Sequence, residues 1–279
     1  MSKRQLGTLM AVNLRLLNPQ VTTRARKSGV TGRQLTRKLI NQFFLNAVVF
    51  LVIYGLPLLN FDLSRLPGAF AFYVGLFGLL AISQSMAGIY NVFFVGRDLG
   101  AYLPLPFREA DIFMSKLLVV VLNTLPYTVP LLLAFVVTAI RAGIFVVVAV
   151  LLAIWGYLLV LAMVLLLCTL LVFSLTKLKG FQAHQNVIMT TLMGLTLLIT
   201  VAGILLMNTH PVGSAMNADI NTPFLPLFRC FTTPLAPISL ITWGVLVGTM
   251  ICLSIVTRRY VLARLANQLT QANSHIVGH

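Results

Sequence analysis

Acid is what this sequence has least of. It carries 5 Asp and Glu in 279 residues against 20 Lys and Arg, and charged side chains make up 9% of the chain. A soluble domain carries about 25%. With so little polar surface to offer, and 59% hydrophobic residues to bury, no water-soluble core of this size is expected. Cysteine is also scarce. Cys168, Cys230 and Cys252 share no metal or redox spacing. Cys168 and Cys252 lie in apolar runs and are expected to pack there, while Cys230 stands alone in a loop and implies no intramolecular disulfide. His184, His210, His275 and His279 are scattered over loops and tail, so no metal site is expected. There is no G-x-x-x-x-G-K-[ST], no H-E-x-x-H and no G-x-S-x-G. The chain therefore binds no ATP through a P-loop, and no catalytic residue, enzymatic activity or cofactor is expected of it.

What is present is lipid-like. Six apolar runs reach or exceed the ~18 residues that mark a spanning helix: residues 39–59, 69–95, 112–140, 144–175, 186–207 and 238–256. The fold class is all-α, a polytopic membrane protein of six transmembrane helices. Residues 1–38 form a basic lead-in, 39–256 the six-helix domain and 257–279 a tail. The lead-in is too long to be the n-region of a cleaved signal peptide. Its residues 5–17 put Leu6, Leu9, Met10, Leu14 and Leu17 on one helical face, with Asn13 and Arg15 elsewhere. That amphipathic helix either lies on an anionic inner leaflet or docks as a soluble helix.

The net charge of +15 follows membrane topology rather than nucleic-acid binding. Nine Lys and Arg precede the first run. Arg97, Arg108 and Lys116, then Lys177 and Lys179, then Arg258, Arg259 and Arg264 fall on the same side, and only Arg65, Arg141 and Arg229 on the other. The positive-inside rule puts both termini in the cytoplasm of a multi-pass plasma-membrane protein. Tyr54, Tyr73 and Trp243 then fall toward the outer interface as an aromatic belt.

No run holds Asp or Glu in its interior, which argues against proton- or sodium-coupled transport. The second run has a stripe of small residues instead, Ala71, Gly75, Gly78, Ala81, Ser85 and Gly88, with Gln84 beside it and Asn91 continuing it. The stripe serves helix packing, or it places Gln84 and Asn91 on a translocation path or subunit interface. Asn123 sits one turn from Pro126 and Pro130, which favour a kink in the third run. Thr190, Thr196 and Thr200 suit interhelical hydrogen bonds. The outer segment 208–237 holds five prolines yet stays apolar from 223 to 231. It is expected to fold back as short interfacial or re-entrant helices rather than to run as a plain hairpin connection.

Three of the five acids cluster between residues 96 and 116, in "GRDLGAYLPLPFREADIFMSK". Asp98 can cap a short helix over residues 99–103, and Pro104 ends it. Glu109 and Asp111 then fall where the third run begins, favoured by the helix dipole. Leu99, Tyr102 and Leu103 share one side of the short helix, at a place where water is expected. This apolar knob either docks a protein partner or packs against the chain's own helices.

"YNVFFVGRDLGAYLPLPFREADIFMSK", residues 90–116, resembles the permeases of ABC exporters of the type-2 class, and with "NLRLLNP" at 13–19 it looks most like the Gram-positive ones. The layout of connector helix, six spans and apolar outer segment resembles them over nearly all the chain. The resemblance implies a bacterial membrane subunit without its own engine. Residues 96–111 would be the coupling loop, seating Asp98, Leu99, Tyr102, Leu103, Pro104, Pro106 and Phe107 in a cleft of a separate ABC ATPase. Those permeases are often about twice as long, so pairing with a second copy or a second permease half is implied, with lipid as the other partner. A scaffold or immunity-type protein that binds a partner without transporting is the alternative.

Overall fold

A computed structural model describes residues 32, 34–60, 62–94, 112–176 and 224–261, the helical backbone of 33, 95, 109–111 and 262–277, and single residues between 10 and 29 and between 190 and 201. Among these residues there are helices and turns and no strand. α1 (Gly32–Phe50) passes through a π-helical turn (Leu51–Gly55) into α2 (Leu56–Asn60). After a short 3₁₀ turn come α3 (Pro67–Tyr90), which ends in a second π-helical turn (Asn91–Val95), and α4 (Glu109–Arg141). α5 (Val146–Leu175), α6 (Leu225–Thr232) and α7 (Pro237–Val277) follow.

Five stretches are long and apolar enough to cross a membrane: Gln34–Asn60, Pro67–Phe94, Ile112–Arg141, Val146–Leu175 and Pro237–Val261. They coincide with five of the six expected runs. The remaining run, 186–207, lies outside the described residues except for Thr190, Thr191, Gly194, Leu198 and Val201, which are helical. Thr196 and Thr200 lie outside them.

Local chemistry explains the boundaries. Pro67 opens α3 at the position where its missing N–H is no loss. α4 begins at Glu109, as expected, so Glu109 and Asp111 fall in its first turn. It runs through Pro126 and Pro130 as one helix. At its end Gly143 adopts φ 88°. The amide of Gly143 donates to Ile140 (3.0 Å) and that of Ile144 to Ala139 (3.2 Å), closing a Schellman cap that only glycine makes without strain. Arg141 donates from Nη2 to the Leu59 carbonyl at 2.6 Å and ties the end of α4 to the end of α2. In the nearby turn, Ser64 donates to Asp62 at 2.6 Å and Arg65 lies 3.2 Å from it. The Ser64 hydroxyl, more than the arginine, holds the Asp62 carboxyl below its ordinary 3.8.

α3 is the centre of the bundle. It packs on α4 and α5, which pack on each other, while α1 leans on α4 and α7 on α5. Burial ranks the same way: 67% of the apolar window of α3 is buried, against 17% for α1 and 6% for α7. Two aromatic clusters close the ends. At the Arg65 end, Phe231 of α6 stacks on Phe135 (4.4 Å between centroids) and meets Phe70 and Trp243. Glycine at 156 makes room there, because a Cβ would stand 2.6 Å from the Phe231 ring and 3.0 Å from Trp243. Within the segment 208–237, α6 is a short helix with Leu227, Cys230 and Phe231 buried.

Three expectations are corrected here. Cys230 stands in α6, fully buried, with its thiol 3.6 Å from the Ser239 carbonyl, rather than alone in a loop. Cys252 is exposed rather than packed, because α7 turns most of its surface away from the bundle. Tyr73 is buried against Phe77 and Phe72, and so stands inside the bundle rather than in an interfacial belt.

Candidate functional site at the root of the 96–108 loop

The opposite end of the bundle carries a charge where none is cheap. Lys116, about one turn into the apolar part of α4, is fully buried. Its Nζ donates to the Val92 carbonyl at 2.8 Å and lies 5.4 Å from the centre of the Phe93 ring. A buried ammonium costs several kcal/mol unless its protons find acceptors. Two features of α3 supply them. A helix C-terminus exposes carbonyls and carries partial negative charge, and the π-helical turn at Asn91–Val95 sets the Val92 carbonyl where a side chain from α4 can reach it. The ring face of Phe93 adds quadrupole attraction within the ~6 Å over which it acts.

Around the lysine the second aromatic cluster ties three helices. Phe93 meets Phe113 of α4 (5.7 Å) and Phe173 of α5 (5.4 Å), and Phe94 meets Phe173 (5.2 Å) and Tyr90 (5.9 Å). One residue before the lysine, Ser115 receives a hydrogen bond from Asn13 at 3.1 Å and donates to the Ile112 carbonyl at 2.8 Å. Asn13 and Leu14 are buried. The N-terminal segment is therefore pinned to α4 through the residue that the periodicity had set off the apolar face. Leu6, Leu9 and Leu17 lie outside the described residues.

The expected partner-binding residues Asp98, Leu99, Tyr102, Leu103, Pro104, Pro106 and Phe107 also lie outside them. What the structure describes is the pair of helix ends that flank them in the chain, the π-helical turn that ends α3 and the start of α4. In the sequence Lys116 stands as one of the flanking positive charges and as the last residue of the stretch 90–116 that carries the resemblance. Its burial against a residue 24 positions away is a tertiary fact, and the one hint in the sequence was its place beyond the helix start, among apolar neighbours.

The small-residue stripe divides. Its half nearer the loop is packed: a Cβ on Gly88 would meet Val120 at 3.2 Å and the Asn123 amide nitrogen at 3.5 Å, and the hydroxyls of Ser85 and Thr124 lie 3.3 Å apart. In the other half Ala71 is buried, but nothing lies within 4 Å of a Cβ on Gly75 or Gly78. Gln84, Asn91 and Asn123 are half-buried. One turn on from Thr124, Thr128 donates to the backbone carbonyl of Thr124 (3.2 Å) and stands 2.7 Å from the Tyr157 hydroxyl of α5. Among the described residues no three His, Cys, Asp or Glu gather where a metal could sit.

The chain matches no family model, no curated protein and no solved structure. The class that the fold defines is an all-helical protein with five helices fit to cross a membrane among its described residues.

Proposed function

We propose that the chain is the membrane-spanning permease subunit of an ABC exporter, with six spans and both termini in the cytoplasm. The observation that carries this reading is the locked root of the 96–108 loop. The end of α3 is bonded to α4 through Lys116 and Val92, and the start of α4 is bonded to the N-terminal segment through Ser115 and Asn13. A loop rooted so firmly transmits force. Displacing it moves α3, α4 and α5 together, because their aromatic side chains interlock at that level. In the proposed mechanism a separate ATPase closes on ATP, pulls on Leu99, Tyr102 and Leu103, and swings these helices. Substrate passes between two such subunits, as a homodimer or with a second permease half, and hydrolysis belongs to the partner.

The test is co-purification with the ABC ATPase encoded nearest the gene, before and after Leu103→Asp and Tyr102→Ala, with ATP-dependent efflux from vesicles measured in parallel. Loss of the complex in either variant is the expected result. An intact complex in both refutes the docking surface. A stable complex of the unaltered chain that drives no flux replaces transport by the scaffold reading.

A further inference from the structure

We propose that the polar start of α1 holds the headgroup of an anionic phospholipid. An open cavity of ≈ 600 Å³ lies there, lined by Gln34, Thr36, Arg37 and Ile40. Arg37 and its neighbour Lys38 are exposed. A guanidinium offers the planar fork of donors that engages phosphate oxygens in pairs, and the Gln34 amide adds another donor on the same side.

Below the cavity the helix changes character along one line. Ile40, Phe44 and Val48 follow Arg37 at three, seven and eleven residues, which is a single helical face. They are 51%, 71% and 40% exposed. From Arg37 to Val48 the helix rises ~16 Å at 1.5 Å per residue, close to half of a ~30 Å hydrocarbon core. The surface thus presents a cationic, hydrogen-bonding head position and an apolar stripe one leaflet deep. Free phosphate would use only the head position, and a soluble peptide would leave the stripe facing acyl chains. An anionic lipid matches both parts. α1 is also among the least covered spans, with 17% of its apolar window buried, so the chain itself leaves this face to an outside molecule. None of these residues belongs to the loop root, and the assignment goes beyond transport.

The experiment uses the full chain in mild detergent with added phosphatidylglycerol, phosphatidylcholine or inorganic phosphate, read by native mass spectrometry and thermal shift. Phosphatidylglycerol is expected to be retained over phosphatidylcholine and to raise the melting temperature, with inorganic phosphate having no effect. Arg37→Ala should lower retention roughly fivefold, the worth of one basic residue at an anionic surface. Arg37→Lys should restore part of it, and Phe44→Asn should weaken retention through the stripe. Arg65→Ala, at the other end of the bundle, should leave it unchanged. Raising salt from about 0.05 M to about 0.5 M should release lipid from the unaltered protein, since screening shortens the reach of the charge. That arm stands even where Arg37→Ala fails to fold. Equal retention by Arg37→Ala, equal retention of phosphatidylcholine, or salt-independent retention overturns the site. Protection by inorganic phosphate matching that of phosphatidylglycerol overturns the lipid as its occupant. Any of these leaves the co-purification result standing on its own.

Discussion

A lysine and a glycine show how single residues set this bundle. Lys116 bonds the Val92 carbonyl from a fully buried position. Lys116→Met keeps most of the stem's packing and removes the donor, leaving a buried acceptor short of a bond to a charged group. The expected loss is about 2 kcal/mol, read as a lower midpoint in a detergent unfolding titration. An unchanged midpoint would mean that the ammonium is held at no net benefit. Gly156 makes the opposite demand, for space. The Phe231 ring that a Cβ would strike is itself fully buried and clamped between Phe135, Phe70 and Trp243, so it has little room to yield. Gly156→Ala should therefore cost about 1–3 kcal/mol by overpacking. Gly78→Ala, where a Cβ meets nothing within 4 Å, should be neutral or gain up to about 1 kcal/mol of helix propensity. Equal effects of the two alanines in the same titration would contradict the packing described at both sites. The sequence alone does not separate the two. Gly78 sits in the stripe of small residues in α3, yet it faces open space, whereas Gly156 ends a shorter series at the same spacing, Ala149 and Ala153, that is buried throughout. Small residues show where helices can approach, and the partner that decides whether they do comes from elsewhere in the chain.

At the scale of elements, hydropathy was the reliable signal. Five of the expected runs appear within a few residues of their ends, because a chain that must satisfy every backbone group in lipid has little choice but to stay helical across the apolar stretch. The contents of those helices were harder to read. Pro126 and Pro130 favour a kink, and α4 carries both inside one continuous helix. Each proline leaves the carbonyl four residues before it without its usual donor. Between them the Thr128 hydroxyl donates to the Thr124 and Leu125 carbonyls of its own helix (3.2 Å each) and stands 2.7 Å from the Tyr157 hydroxyl of α5, so this stretch of α4 is held both from within and by a side chain of α5. A double-mutant cycle of Thr128→Val and Tyr157→Phe should give a coupling of about 0.6 kcal/mol and no more than about 1.7, the range measured for interhelical hydrogen bonds in membranes. Additive losses would mean that the two hydroxyls stand near each other without holding α4 to α5. The same limit on foresight applied to Asn13. Periodicity placed it off the apolar face, but its partner Ser115 lies 102 residues away, and no local pattern encodes that distance.

The whole molecule poses a question of parity. Five crossings put the two ends of a chain on opposite sides of a membrane, whereas six put them on the same side. Phe173, near the end of α5, touches Phe93 and Phe94 at the loop end of the bundle. Phe228 and Phe231 of α6 touch Phe70 at the Arg65 end. The chain between α5 and α6 therefore leaves from one end of the bundle and arrives at the other. Residues 186–207, the apolar run within that stretch, would rise ~33 Å as a helix, enough for a ~30 Å core. The distribution of Lys and Arg agrees, since only Arg65, Arg141 and Arg229 fall outside the strongly basic side. We therefore predict six crossings. With Cys168, Cys230 and Cys252 replaced, single cysteines can be placed by Arg65→Cys, Ala142→Cys, Thr23→Cys and Ser274→Cys and treated with a membrane-impermeant maleimide on intact cells. The first two should label at once, and the last two only after the membrane is opened. Labelling of Ser274→Cys from outside, with Thr23→Cys protected, would leave five crossings. The C-terminal end of α7 would then stand across the membrane from the N-terminal segment that braces Ser115, and the proposed ATPase would face that segment without the tail beside it.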